Sequence, residues 1–134
     1  MSQENVERIR IGFEAFNRGD MDTLLAGVHP EVIWEENTPA FTGLDRVYRG
    51  HEGFKQWVAD VLEAWEDLRS ENNEFIDAGD HVIVVAHFQG RGRASGVQVE
   101  GDFHNVLEIR DGMIVHRRLF TDREDALEAA GLPA

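Results

Sequence analysis

Residues 103–122, FHNVLEIRDGMIVHRRLFTD, hold the reading on which the fold turns. Two β-patterned runs meet at Asp111-Gly112, and Asp-Gly between such runs is a strong hairpin signal. Two registers compete. A two-residue turn pairs Asn105 with Arg118. A three-residue loop, Arg110-Asp111-Gly112 with Gly112 left-handed in a G1 bulge, pairs Asn105 with Arg117. Side chains alternate with period two, so each register makes its own faces. The three-residue loop gathers Phe103, Asn105, Leu107, Ile109, Met113, Val115, Arg117 and Leu119 on one face. That face is apolar except for Asn105 and Arg117, which sit opposite one another. The two-residue turn scatters polar groups over both faces, so the pattern favours the three-residue loop. The result is a sheet with one oily face carrying a single polar pair. Such a face serves as the floor of a ligand pocket, and equally as a core with one buried hydrogen bond.

The rest of the chain supplies the partners for that sheet. Val6, Ile9, Phe13 and Phe16 fall at helical spacing and predict a helix over 2–17, capped by Ser2 and stopped at Gly19. Asp20 caps a short second helix carrying Met21, Leu24, Leu25 and Val28, which His29-Pro30 ends. EVIWEE (31–36) is a short strand, and 37–46, with Pro39 and Gly43, reads as a loop at the rim of something. Tyr48 and Arg49 form a short return strand. Phe54, Trp57, Val58, Val61, Leu62 and Trp65 then mark a strongly periodic helix over 51–66. From Leu68 the pattern is β: a polar strand over 68–78, a turn at Gly79-Asp80 and a long strand over 81–93. A connector or bulged strand over 94–102 and the hairpin follow. Asp122 caps a last helix over 123–130. Helices first and a strand meander after them predict an α+β fold, with helices on one face of a curved sheet.

At 134 residues with 42% hydrophobic content and 3 prolines, the chain is expected to fold as a single domain, 1–134, with one good core. It has no cysteine, which excludes disulfide and thiolate chemistry. No apolar run approaches the roughly 20 residues that span a bilayer. MSQENVERIR lacks the basic-then-apolar order of a signal peptide. The expectation is a cytoplasmic protein. A net charge of −13 makes nucleic acid and anionic membranes poor partners.

The six histidines, His29, His51, His81, His87, His104 and His116, stand at no tight ligand spacing, so no metal site is expected. Gly90-Arg91-Gly92-Arg93 does not open a helix and is no phosphate loop. No serine has a nucleophile elbow. Carboxylates and amides in an apolar cavity remain. In EVIWEE, period two sets Val32, Trp34 and Glu36 on one side and Ile33 and Glu35 on the other. If Ile33 faces inward, Glu35 does too, and desolvation would tune it as a general base or acid. The bland alternative is a solvated glutamate at a strand end. Phe13, Phe16, Trp57 and Trp65 fit a core stripe and, alternatively, a ligand shelf.

These features together resemble the nuclear transport factor two-like superfamily and, within it, the SnoaL-like polyketide cyclase group related to ketosteroid isomerase. The resemblance rests on Phe16-Asn17-Arg18-Gly19-Asp20, His29-Pro30, Arg110-Asp111-Gly112 and the tail 122–132, and it covers nearly the whole chain. It implies a cone-shaped, curved antiparallel sheet packed on N-terminal helices around an apolar pocket. It also implies a homodimer through the outer sheet face, where His104, His116, Arg118 and Phe120 lie. Fold does not fix reaction in this superfamily, which hosts isomerases, cyclases, dehydratases, epoxide hydrolases and non-enzymatic members. In isomerase-like members a general-base aspartate ends the first strand, where Glu35 stands here. Their second acid, which SnoaL-type cyclases also keep, falls at Asn105, an amide that donates a hydrogen bond but transfers no proton. Their first-helix tyrosine falls at Gly12. The last-strand aspartate of limonene epoxide hydrolase-like members falls near Leu119.

Three functions stay open. In the first, Glu35 abstracts a proton next to a carbonyl of a small apolar substrate while Asn105 and Arg117 stabilise the enolate oxygen; Arg117 alternatively pairs with Glu35. In the second, the pocket binds a small hydrophobic molecule without chemistry. In both, Phe13, Trp57, Leu107 and Leu119 line the ligand. His87 is a further polar group there, although the strand over 81–93 reads inward in either phase. No cofactor is implied. In the third, the cavity is filled by its own side chains. A pocket of about 300 Å³ or more separates the first two from the third.

Overall fold

Helix α1 (Ser2–Arg18) sets Ile9, flanked by Val6, Phe13 and Phe16, into the core, as its spacing predicts. The computed structural model describes residues 2–36 and 47–133, apart from the side chains of Ser2 and Asn72. The Ser2 cap and the loop over 37–46 therefore lie outside the described residues. Gly19 ends α1 at φ 73°, with Gly19 N–H on the Phe16 carbonyl (3.1 Å) and Asp20 N–H on that of Ala15 (2.9 Å). That is a Schellman stop. Asp20 caps α2 (Met21–Ala26) by accepting from the Thr23 backbone N–H at 3.2 Å.

Strand β1 (Val28–Glu35) begins earlier than the sequence suggests. Val28 belongs to it, and His29-Pro30 lies inside it instead of ending a helix. Proline is tolerated there because the ladder with the neighbouring strand is bulged between Val28 and Ile33, so no N–H is missed. After β2 (Val47–Arg49), helix α3 (Gly50–Ala64) buries Phe54, Val58 and Val61. It stops before Trp65, which the helical stripe had included. Trp65 opens β3 (Trp65–Asp77) and meets the Phe88 ring edge-on at 6.1 Å.

β4 (His81–Gly92), β5 (Gln98–Arg110) and β6 (Met113–Phe120) complete a curved, unclosed six-stranded sheet of order β2-β1-β6-β5-β4-β3. All neighbours are antiparallel except β1 and β6, which run parallel. α1 to α3 cover one face, over a core that includes Val32, Trp34, Val82, Val84 and Leu107. α4 (Arg123–Ala129) covers part of the other face, where Ala126 and Ala130 pack on Ile83 and Val106 with Phe120 beside them. The expectation of helices on one face alone is corrected: the small apolar face of α4 needs Ile83 and Val106, which period two turns away from the main core.

The hairpin corrects the expected register and keeps the expected faces. Arg110 pairs with Met113 across a two-residue turn. Asp111 at φ 52° and Gly112 at φ 77° make it the type I′ turn that Asp-Gly favours. One step on, Ile109 pairs with Ile114 but Glu108 pairs with His116, so Val115 is the extra residue of a β-bulge. Leu107 then pairs with Arg117, and Asn105 with Leu119, not Arg117. Turn plus bulge has the same parity as a three-residue loop. Asn105, Leu107, Arg117 and Leu119 therefore share one face, and beyond the bulge Ile114, not Met113, joins the core.

Arg123 ties α4 to β3 through two parallel hydrogen bonds to Glu74, both 3.1 Å. Those bonds hold the Glu74 carboxyl below its ordinary value of 4.5. A carboxylate with a depressed folded pKa stabilises the fold above its unfolded pKa, and that contribution is lost as pH falls through the folded value. Protection of the α4 amides against hydrogen exchange is therefore expected to drop as pH is lowered below 4.5, and to be lower already at pH 7 in Glu74→Gln. Equal protection of the two proteins at pH 7 would remove the bridge from the account.

Candidate functional site

One face of α1 and the sheet face opposite it do not close completely. Asn5, Arg8, Ile9, Gly12, Phe13 and Phe16 recur at helical spacing along a cavity of about 130 Å³. Trp34, Phe54, Trp57, Phe88 and Leu107 form much of its opposite wall. The volume lies below the roughly 300 Å³ that separates a ligand pocket from a self-filled core, so by size alone the filled core is favoured, and anything the cavity takes is small. Gly12 contributes to it directly. A Cβ built there meets nothing within 4 Å, and the backbone is ordinary helix, so the glycine answers neither to strain nor to crowding.

The polar part of the wall is a chain of hydrogen bonds through Arg117. Its Nε donates to Asn105 Oδ1 at 2.9 Å, and Asn105 Nδ2 donates to the Val84 carbonyl at 3.3 Å. Nη1 donates to the Glu35 carbonyl at 2.6 Å and to Glu36 Oε1 at 3.2 Å. Trp57 Nε1 donates to the same Glu36 oxygen at 2.9 Å. The guanidinium lies 5.0 Å from the Trp34 ring centroid and 5.4 Å from that of Trp57. The Arg117 and Glu36 side chains are 5% and 1% exposed, so this is a buried ion pair, set by hydrogen bonds and aromatic faces. Two sealed polar atoms have no partner among the described residues, Glu36 Oε2 and Trp34 Nε1.

The inward carboxylate is thus Glu36, not Glu35. Along β1 and the residue that follows it, Val32, Trp34 and Glu36 are buried, with Ile33 and Glu35 half-buried on the other face. The correction has a simple cause. A tryptophan and a valine gain more from the core than one isoleucine does, and they carry Glu36 in with them. Glu35 Oε2 instead bonds His116 Nε2, because parallel pairing of Ile33 with His116 brings the two together on the outer face. Its main-chain carbonyl, not its carboxylate, meets Arg117.

Of the other residues singled out in the sequence, Phe13, Trp57, Asn105, Leu107 and Arg117 line the cavity. Leu119 is buried opposite Asn105 but does not reach it. His87 is exposed, with Nδ1 2.6 Å from Asp102 Oδ1, because Val82, Val84, Ala86 and Phe88 take the inward phase of β4. Sequence reasoning missed Arg8 and Glu36. The Val32-Trp34-Glu36 alternation carried the signal for Glu36; a charged residue on a solvated helix gave none for Arg8. Among the described residues, no three His, Asp or Glu side chains converge as a metal site requires.

The SnoaL-like domain model matches residues 9–117. No curated protein matches the chain. Among solved structures, TerC co-crystallised with polyporic acid is 27% identical, with a TM-score of 0.77 over 96% of this chain and 98% of that one. An NTF2-like protein of Burkholderia xenovorans LB400 is 26% identical, with a TM-score of 0.77 over 97% of each chain. A putative polyketide cyclase of Xanthomonas campestris pv. campestris, 17% identical with a TM-score of 0.77 over 96% and 98%, shares the fold.

Two substitutions separate the ion pair from the cavity. Arg117→Met leaves Glu36 buried without its cation and is expected to cost about 3–5 kcal/mol in urea unfolding. Adding Glu36→Gln should restore much of that loss, a non-additivity that a double-mutant cycle reads directly. Gly12→Ala is expected to stabilise the protein by about 0.5–1 kcal/mol, because it removes a helix-interior glycine without a clash. A destabilised Gly12→Ala would mean that the space over Gly12 is not open.

Proposed function

The chain belongs to the SnoaL-like domain family, and we propose that it is a small-molecule pocket protein that binds a small, mostly apolar molecule bearing at least one oxygen acceptor. The observation that carries this reading is a single hydrogen-bonded polar pair, Asn105 and Arg117, set into an otherwise aromatic and aliphatic wall. Arg117 Nη2 makes no hydrogen bond among the described residues and is not among the sealed atoms, so it remains available to a carbonyl or enol oxygen. An arginine held by an amide, a carboxylate and two indole faces is preorganised, which lowers the ordering cost of binding. The 27% identical TerC, crystallised with polyporic acid, supports a small oxygenated molecule as the class of ligand.

The same lining favours binding over proton transfer. Its charged members among the described residues are arginines, and no carboxylate or imidazole is among them. Glu35 is turned to His116 on the outer face, outside the reach that a general base needs. A proton-transfer reading would have to run through Glu36, whose unpartnered Oε2 is the one feature in its favour.

One NMR experiment tests both readings. Acetophenone titrated into the protein in H₂O is expected to shift the Trp34 and Trp57 indole signals and the Asn105 side-chain amide, and the same mixture in D₂O to show no acceleration of methyl-proton exchange next to the carbonyl. Gly12→Leu, which fills the cavity from a position that favours longer side chains in a helix, should abolish the shifts. Accelerated exchange lost in Glu36→Gln would replace the binding reading with catalysis. No shift at millimolar ketone would remove the pocket reading.

A further inference from the structure

We infer that the molecule this cavity takes is an anion, with an apolar body along the aromatic wall and a carboxylate or similarly acidic oxygen at Arg8. The inference deepens the pocket reading above and rests on it. Acidic residues outnumber basic ones two to one in this chain, 26 against 13. The charged residues lining the cavity nevertheless run the other way: Arg8, Arg69 and Arg117, with no aspartate or glutamate among the described lining residues. Two of the three are already answered. Arg69 bonds Glu71 at 3.0 Å, and Arg117 is paired with Glu36. Arg8 has no carboxylate partner among the described residues, although Glu4 and Glu7 stand within a turn of it on the same helix.

Arg8 is exposed, yet its side chain lies back against the fold and along the rim of the cavity. Its guanidinium rests on Gly112 at the tip of the β5–β6 turn, in the volume that a side chain at that position would occupy. The contact holds it at one end of the cavity, with Asn5 one helical turn before it. Phe16, eight residues further along α1, marks the other end, about 12 Å away at the helical rise. A phenyl ring with a short acidic side chain fits that span. A guanidinium at an apolar rim binds a carboxylate through a charge-assisted, often two-pronged contact. The net charge of −13 works against anions at long range, so a preference for a carboxylate over its neutral isostere has to come from a local cation.

The test compares trans-cinnamate with trans-cinnamamide, which differ in charge and hardly in shape, by calorimetric titration of the whole protein in low salt. The expected result is about tenfold tighter binding of the carboxylate, with the preference shrinking in 0.5 M salt as exposed charge contacts do. Arg8→Gln should bring the two affinities together by weakening cinnamate alone, and Arg8→Lys should keep part of the preference. Equal affinities in the wild type would overturn the anion and leave the pocket reading standing. A preference that survives in Arg8→Gln would overturn the assignment to Arg8. Failure of both probes while acetophenone binds overturns the inference; failure of all three removes the pocket reading along with it.

Discussion

The Arg117–Glu36 ion pair is the constraint around which the inner wall is arranged. Neither charge can be buried alone without a penalty of several kcal/mol. Each neighbour therefore has a part in making the pair tolerable. Asn105 fixes one edge of the guanidinium, the Glu35 carbonyl and Glu36 carboxylate take Nη1, and Trp57 shares the carboxylate. The Trp34 and Trp57 rings lie against the cation. Satisfying the pair requires β1, β5, β6 and α3 to meet at one point. Nonpolar replacements could fill the same space at no loss of stability. They would not fix the relative position of those four elements so narrowly, because dispersion contacts have little directionality.

That arrangement also limits the chemistry. A carboxylate committed to an arginine and an indole is poorly placed to accept a substrate proton. A guanidinium with one free edge is well placed to receive an oxygen. The wall thus has a donor to spare and keeps its acceptor for itself. This asymmetry is what separates the site from the two-carboxylate pattern that the family resemblance brings to mind, and it agrees with an amide, Asn105, where such members carry an acid.

Much of this was legible from the residues alone. The helices announced themselves through period and stops, and the oily sheet face with Asn105 and Arg117 on it followed from alternation. Details failed where two local signals competed. Asp-Gly chose its preferred two-residue turn, and a bulge at Val115 supplied the missing residue. The register came out differently and the faces did not. In EVIWEE both phases placed a glutamate beside bulky apolar residues, so only the relative size of the competing side chains pointed to Glu36. His87 turned outward for a similar reason, four apolar residues holding the inward phase of β4. Arg8 was illegible because its position depends on a glycine more than a hundred residues away in sequence.

The bulge at Val115 also bears on how the chain finds its fold. Without it, Asn105 would face Arg118, so a slipped hairpin would still set a guanidinium beside that amide. The tandem arginines thus give the wrong register a consolation that most misalignments lack. The local landscape is correspondingly frustrated. Discrimination falls to the residues on either side of the pair. In the native register Leu119 is buried and Phe120 packs against α4. In the slipped one Leu119 would turn out and Phe120 in, and α4 would lose part of its seat. The last helix, far from the cavity and without a polar atom in it, therefore acts as a proofreader of which arginine enters the wall.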